Sequence, residues 1–129
     1  MCAMPPKRLL RRSVGIDPSA REVIVRNLAR NYRVGDSEVA ALRGVQLEVP
    51  RGEFLAVVGV SGSGKSTLLH LLGGLDTPTA GEIVVAGQQL NTLSAYERTL
   101  YRREIVGFVF QSFYHMPHHT ALGNVALAL

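Results

Sequence analysis

The chain has 129 residues, 47% of them hydrophobic, and a formal net charge of +4, enough for one modest core and short for two domains. No apolar run reaches the roughly 18 residues that read as a membrane span, and the single cysteine, Cys2, excludes a disulfide scaffold. Residues 1–13 carry basic groups without the sustained apolar stretch of a secretory signal.

The charge excess sits at one end. Residues 1–21 hold Lys7, Arg8, Arg11, Arg12 and Arg21 against Asp17, whereas residues 22–129 balance nine basic with nine acidic groups. With Pro5, Pro6, Gly15 and Pro18 scattered through it, residues 1–21 read as a basic, poorly ordered extension and residues 22–129 as the folded part. A solvated arm or unselected upstream translation is the reading of these charges, and no specific nucleic-acid partner is expected.

Val23, Ile24, Val25 and Leu28 open a strand pattern that leads to Tyr32, and Gly35, Asp36 and Ser37 make a turn. Leu42, Val45, Leu47 and Val49 follow with interrupted alternation, Gly44 marking a bulge, so an antiparallel ribbon is predicted. On the residues alone Tyr32 is either a core or edge aromatic or a ligand contact, with no spacing rule to decide. Pro50, Arg51, Gly52 and Glu53 turn the chain into an apolar run at residues 54–58, read as a buried strand.

That run ends in the stretch around which the chain is organised. Gly59, Val60, Ser61, Gly62, Ser63, Gly64, Lys65 and Ser66 fill every fixed position of G-x-x-x-x-G-K-[ST], with Thr67 next. The glycines let successive N–H groups aim at one point without Cβ obstruction. The helix that follows adds its unpaired N–H groups and the positive end of its dipole. This chemistry suits a nucleotide polyphosphate: Lys65 is placed to reach the β- and γ-phosphates, Ser66 to supply a hydroxyl to magnesium, and Thr67 to serve the first helical turn.

Leu68, Leu69, Leu71 and Leu72 give this helix an apolar face, and Gly73 and Gly74 should end it. A turn over residues 76–81 leads to a strand at 82–86, with Gly87 turning again. Ser94 and Glu97 have capping-box spacing for a helix over about 95–103, whose Glu97, Arg98, Arg102, Arg103 and Glu104 read as solvated or paired charges. Residues 105–110 read as another buried strand, and Gln111 stands at its exit. Position alone leaves Gln111 either a metal or γ-phosphate contact or an ordinary loop amide. His115, His118 and His119 cluster, but Pro117 disfavours a helix between them and no cysteine accompanies them, so a packed or solvated loop is read there in place of a structural metal site. Thr120 caps a last helix with Ala121, Leu122, Val125, Ala126 and Leu129 on its apolar side.

Over residues 22–129 the chain resembles the first half of an ATP-binding-cassette (ABC) transporter ATPase, in the branch associated with lipoprotein release and macrolide-type export. The resemblance rests on Tyr32, on VAALRGVQLEVPRGEFLAVVGVSGSGKSTLLHLLGGLDTPTAGEI (residues 39–83), LSAYE (93–97), RREIVGFVFQSF (102–113) and TALGNVALAL (120–129). The phosphate loop is common to many nucleotidases, small-molecule kinases included. GLDTPTAGE together with RR-x-x-x-GFVFQ is much narrower.

The resemblance implies an α/β fold, a P-loop nucleoside triphosphate hydrolase core with an N-terminal antiparallel β-subdomain, present here as a partial, C-terminally truncated domain over 22–129. It implies ATP and Mg2+ as cofactors. Tyr32 would stack on adenine with Val39 beside the base or ribose, residues 59–67 would hold the phosphates, Lys65 and Gln111 would serve catalysis, and Ser66 and Gln111 the metal. The partners implied are transmembrane permease subunits or domains, contacted through residues 112–119, and a second ATP-binding domain arranged head to tail. The location implied is the cytoplasmic face of the bacterial inner membrane, peripheral through the permease.

Two departures stand out. Where this branch has leucine-rich sequence around Pro117 and an acidic residue before Asn124, the chain has His115, Met116, His118, His119 and Gly123. The family's LSGGQ-like signature, metal-water aspartate, catalytic glutamate and switch histidine are not among these 129 residues. For them the expectation is weak nucleotide binding with negligible turnover, hydrolysis coupled to transport belonging to the complete domain; the alternative is an inactive nucleotide-binding or permease-interaction fragment.

Overall fold

A computed structural model describes residues 21–112 and 114–127. The expected basic extension up to residue 20, Cys2 within it, Phe113 and residues 128–129 lie outside the described residues. The first described strand starts at Arg21.

The predicted ribbon is a long hairpin, β1 (Arg21–Val34) against β2 (Ser37–Pro50), turned at Gly35 with φ 62°. Its register slips at several places. Between the pairs Leu28↔Val45 and Arg30↔Leu42, β2 advances one residue more than β1, which puts a bulge at Gly44, φ 68°. The next pair is Asn31↔Ala40, so Ala41 is a second extra residue on β2. β3 (Ala80–Val85) adds antiparallel to the other edge of β1, and β4 (Gln88–Gln89) pairs with β3, giving the order β2-β1-β3-β4. Gly81 has φ 90° and passes so close to the Asn27 and Arg26 carbonyls that a Cβ would collide with backbone.

Helix α1 (Lys65–Leu72) follows the glycine loop. It ends as Gly73 and Gly74 predict: Gly74 N–H donates to Leu71 O at 3.1 Å and Leu75 N–H to His70 O at 2.9 Å, with Gly74 left-handed at φ 68°, a Schellman stop. A 3-10 turn (Leu90–Thr92) leads to α2 (Ala95–Glu104), which carries the full capping box: Glu97 N–H donates to Ser94 Oγ and Ser94 N–H to a Glu97 carboxylate oxygen. The last helix, α3 (Ala121–Ala126), is capped by Thr120.

The core lies between the β1–β3 side of the sheet and the helices. Val25, Leu28 and Ile83 are buried from the sheet, Leu68 and Leu71 from α1, and Tyr101 from α2; burying each such aliphatic side chain is worth about 1.5–3 kcal/mol. Tyr101 Oη donates to Leu72 O at 2.6 Å and joins α2 to the end of α1, and burial pushes its pKa up to about 12. Two of the α2 arginines are only partly solvated: Arg98 and Arg102 donate to the carbonyls of Leu93 and Gly74, whereas Arg103 is exposed.

The expected strands at 54–58 and 105–110 are the main departure. Both segments lack ladder partners among the described residues, and Phe54 is 95% and Val109 101% exposed. A strand exists through its neighbours' N–H and C=O groups, and among the described residues the paired strands lie elsewhere. An alternation of burial survives, with Val106 and Phe108 half-buried, Val106 packed against the core, and Gly107 and Val109 exposed.

Candidate functional site

The glycine loop folds on itself before α1 begins. Ser63 N–H donates to Val60 O at 3.2 Å. Gly64 caps the helix at φ 91°, ψ 3°, and a Cβ there would sit 2.6 Å from the Ala41 carbonyl oxygen. Glycine is thus required for conformation and for space, and the bulge at Ala41 is what brings β2 against the loop.

The first bond within α1 is Leu68 N–H to Gly64 O at 2.9 Å. The N–H groups of Lys65, Ser66 and Thr67 therefore have no acceptor inside the helix, and no acidic side chain occupies its first turn. Lys65 Nζ lies across the loop, donating to Gly59 O at 2.8 Å, Val60 O at 2.7 Å and Ser63 Oγ at 3.3 Å. Ser61, Gly62, Gly64, Lys65, Ser66 and Thr67, with Ala41, line an open hollow of about 480 Å³, within the size range of ligand sites. Lone N–H groups, a helix-dipole terminus and an ammonium group converge here, an arrangement that attracts anions.

Ser66 also borders a second hollow, of about 440 Å³, with Leu69 and His70 of α1 and with Phe108, Phe110 and Gln111 of the segment after α2. Ser66 and Gln111 thus face one space. Phe108 and Phe110 stack at 5.3 Å between centroids, and Tyr114 meets Phe110 edge-on at 5.4 Å. These rings hold the exit of the segment where Gln111 stands.

Tyr32 pairs with Val39 across the hairpin, two residues from the bulge at Ala41, so the two residues proposed for the base share the hairpin arm that touches the loop. The Tyr32 hydroxyl donates to Asp76 Oδ2 at 2.8 Å. Arg30 Nε donates to the same oxygen at 2.9 Å, and its Nη2 lies 2.8 Å from Oδ1. Burial is the largest single influence on Asp76 and opposes its ionisation. The hydrogen bonds from Tyr32 and Thr77 and the charge of Arg30 together outweigh it, so the pKa falls below the ordinary aspartate value.

Three functionally placed side chains escape sequence reading: Asp76, which looks like a plain turn residue; Tyr101, hidden in a charged helix; and Asn124. The Asn124 side chain accepts Met116 N–H at 2.7 Å and donates to the carbonyls of Met116, His119 and Thr120, pinning the loop that follows Gln111. The spacing of Arg30 and Tyr32 on one strand face was the available signal for the first of these.

The ABC transporter family model matches residues 42–127. The chain belongs to the ABC transporter family. Lipoprotein-releasing system ATP-binding protein LolD of Pseudomonas syringae pv. tomato is 50% identical to it over 104 residues, covering 81% of this chain and 46% of LolD. Among solved structures, the ATP-binding cassette MJ0796, dimeric in a post-hydrolysis state with ADP and Pi, matches with a TM-score of 0.78 and 43% identity over 82% of this chain and 46% of that one. A second dimeric MJ0796 structure, of a bacterial ABC transporter cassette, matches with a TM-score of 0.78 and 42% identity over the same shares. The chain spans about half the length of these relatives. Its fold is the ABC cassette's P-loop core with the antiparallel sheet on its N-terminal side, as the resemblance implied.

Proposed function

We propose that this chain is the nucleotide-gripping part of an ABC transporter ATPase, binding ATP and serving hydrolysis coupled to transport once the cassette is complete and paired. The observation that carries the reading is the junction of loop and helix: three N–H groups without helical acceptors and Lys65 Nζ around one glycine-lined hollow. Residues 59–67 take the phosphates, Lys65 supplies the charge, and Tyr32 with Val39 receives the base. With no carboxylate in the first turn of α1, nothing there repels a triphosphate.

The residues present fit Mg2+. Ser66 and Gln111 bring a hydroxyl and an amide carbonyl oxygen to the edge of one hollow, and oxygen donors suit that hard cation. When bound, the ion neutralises charge developing on the phosphoryl oxygens. Ser66 and Gln111 orient the site from two different elements, so a shift of the Gln111 segment is felt at the phosphates.

The dimeric MJ0796 cassettes support a second ATP-binding domain as partner, which this reading arranges head to tail. Similarity to LolD, the ATP-binding protein of a lipoprotein-releasing system, supports work within a transport system; in this reading membrane permease subunits are the other partner and the cytoplasmic face of a bacterial inner membrane is the place of work. Residues 112–119 are the surface offered to the permease, with Tyr114 78% and Met116 55% exposed. Residues 22–129 act as one partial domain in this reading.

Direct titration with ATP tests it. Lys65→Ala removes a charged hydrogen-bond donor and should weaken ATP binding roughly tenfold to hundredfold. Equal affinity of variant and parent would refute the assignment of this loop.

A further inference from the structure

We infer that Asp76 and Arg30 are positioning residues that lock the Tyr32 ring as a one-sided platform for the nucleotide base and tie it to the helix that carries the phosphate loop. The inference rests on the reading of Tyr32 as the base contact given above.

Every acceptor site of Asp76 that faces the hairpin is used. Oδ2 takes the Tyr32 hydroxyl and Arg30 Nε, and Oδ1 takes Arg30 Nη2 and Thr77 N–H at 2.7 Å. The Arg30 fork is bidentate, the geometry that fixes a guanidinium in direction as well as distance. That same guanidinium lies over the Tyr32 ring, 4.5 Å from its centroid. One face of the ring is therefore covered, the hydroxyl end is anchored, and the opposite face remains for a planar ligand.

The anchor is not local to the strand. Asp76 follows the Schellman stop of α1 directly, and Thr79 stitches the same turn to β1, its N–H donating to Ala29 O at 2.9 Å and its Oγ1 accepting Asn31 N–H at 3.0 Å. The start of α1 is the phosphate loop, eight residues or roughly 12 Å away along a rigid helix. Base platform and phosphate cradle are thereby fixed to opposite ends of one rod. A free tyrosine on a strand near a turn would have to be ordered on binding; the locked ring has already lost that freedom, an advantage worth roughly twofold to tenfold in affinity.

Calorimetric titration of the intact protein with ATP and, separately, with inorganic tripolyphosphate tests this, using Asp76→Asn, Tyr32→Phe and Tyr32→Ala. Tyr32→Phe keeps the ring and removes only its anchor. The expected result is a roughly twofold to tenfold loss of ATP affinity for Asp76→Asn and Tyr32→Phe, at least as large a loss for Tyr32→Ala, and unchanged tripolyphosphate affinity throughout. Weakened ATP binding in Tyr32→Ala alone, with the other two at parent level, would overturn the positioning role while leaving the platform intact. Parent affinity in Tyr32→Ala would remove the platform itself. Equal losses for ATP and tripolyphosphate in Asp76→Asn and Tyr32→Phe would also overturn the inference, because the cluster would then act on general stability and not on the base.

Discussion

At the scale of single residues, the molecule's polar investments lie where backbone must be held against backbone. Asp76 answers a hydroxyl, a guanidinium and an N–H at once, and its lowered pKa makes it a pH-sensitive joint. Because the folded-state pKa lies below the unfolded one, the joint's contribution is fully present above about pH 4 and is lost as pH falls through the lower folded value. Melting temperatures of the parent should therefore fall on acidification through and below about pH 4 more steeply than those of Asp76→Asn, which has no charge there to lose. Parallel curves would mean the carboxylate is not held ionised by its neighbours. Gly64 shows the converse economy, where the missing side chain is the functional feature.

At the scale of elements, two helices use the same N-terminal device with different completeness. Ser94 and Glu97 close a reciprocal box at the start of α2. At α3, Thr120 Oγ1 accepts Gly123 N–H at 3.0 Å, but glycine at that third position returns nothing to the cap. Gly123 is helical, and a Cβ there would meet the ends of Thr120 and His119 at 3.3–3.4 Å, side chains able to shift by the small amount needed. Gly123→Glu should raise stability by about 1 kcal/mol, from helix propensity and the restored box. Differential scanning calorimetry would show this as a higher melting temperature, and no gain would sink the argument. A tighter α3 would also firm the loop that Asn124 holds behind Gln111.

At the scale of the whole molecule, sheet and helices meet over one apolar contact with a polar rivet in it. Tyr101 is buried on the core side of α2 and bonded to the last carbonyl of α1, so it ties α2 to the end of α1 within the shared core. Its pKa, raised by burial to about 12, fixes the direction of its pH dependence. The folded state keeps the proton longer than the unfolded state, whose tyrosine titrates near pH 10, so stability drops as pH rises from about 10 toward 12. Tyr101→Phe should be less stable at neutral pH by about 1 kcal/mol, from the lost hydrogen bond, and should show a smaller alkaline loss. Melting curves across that range measure both.

Much of this was written in local sequence. The hairpin, its Gly35 turn, the bulge at Gly44, the phosphate loop, the two glycines that stop α1 and the Ser94–Glu97 box follow from residue types at short spacing, because conformational preference and capping chemistry act within a few residues. The pairing of β3 with β1, the second bulge that presses Ala41 against Gly64, the union of Asp76 with Arg30 and Tyr32, and the burial of Tyr101 were settled only by tertiary structure. Those contacts join positions 23 to 62 residues apart along the chain, and no local pattern encodes which partner the fold will bring. The segments at 54–58 and 105–110 mark the same boundary from the other side. Their apolar composition specifies an extended, burial-seeking chain, whereas a strand is decided by the neighbour that hydrogen-bonds to it.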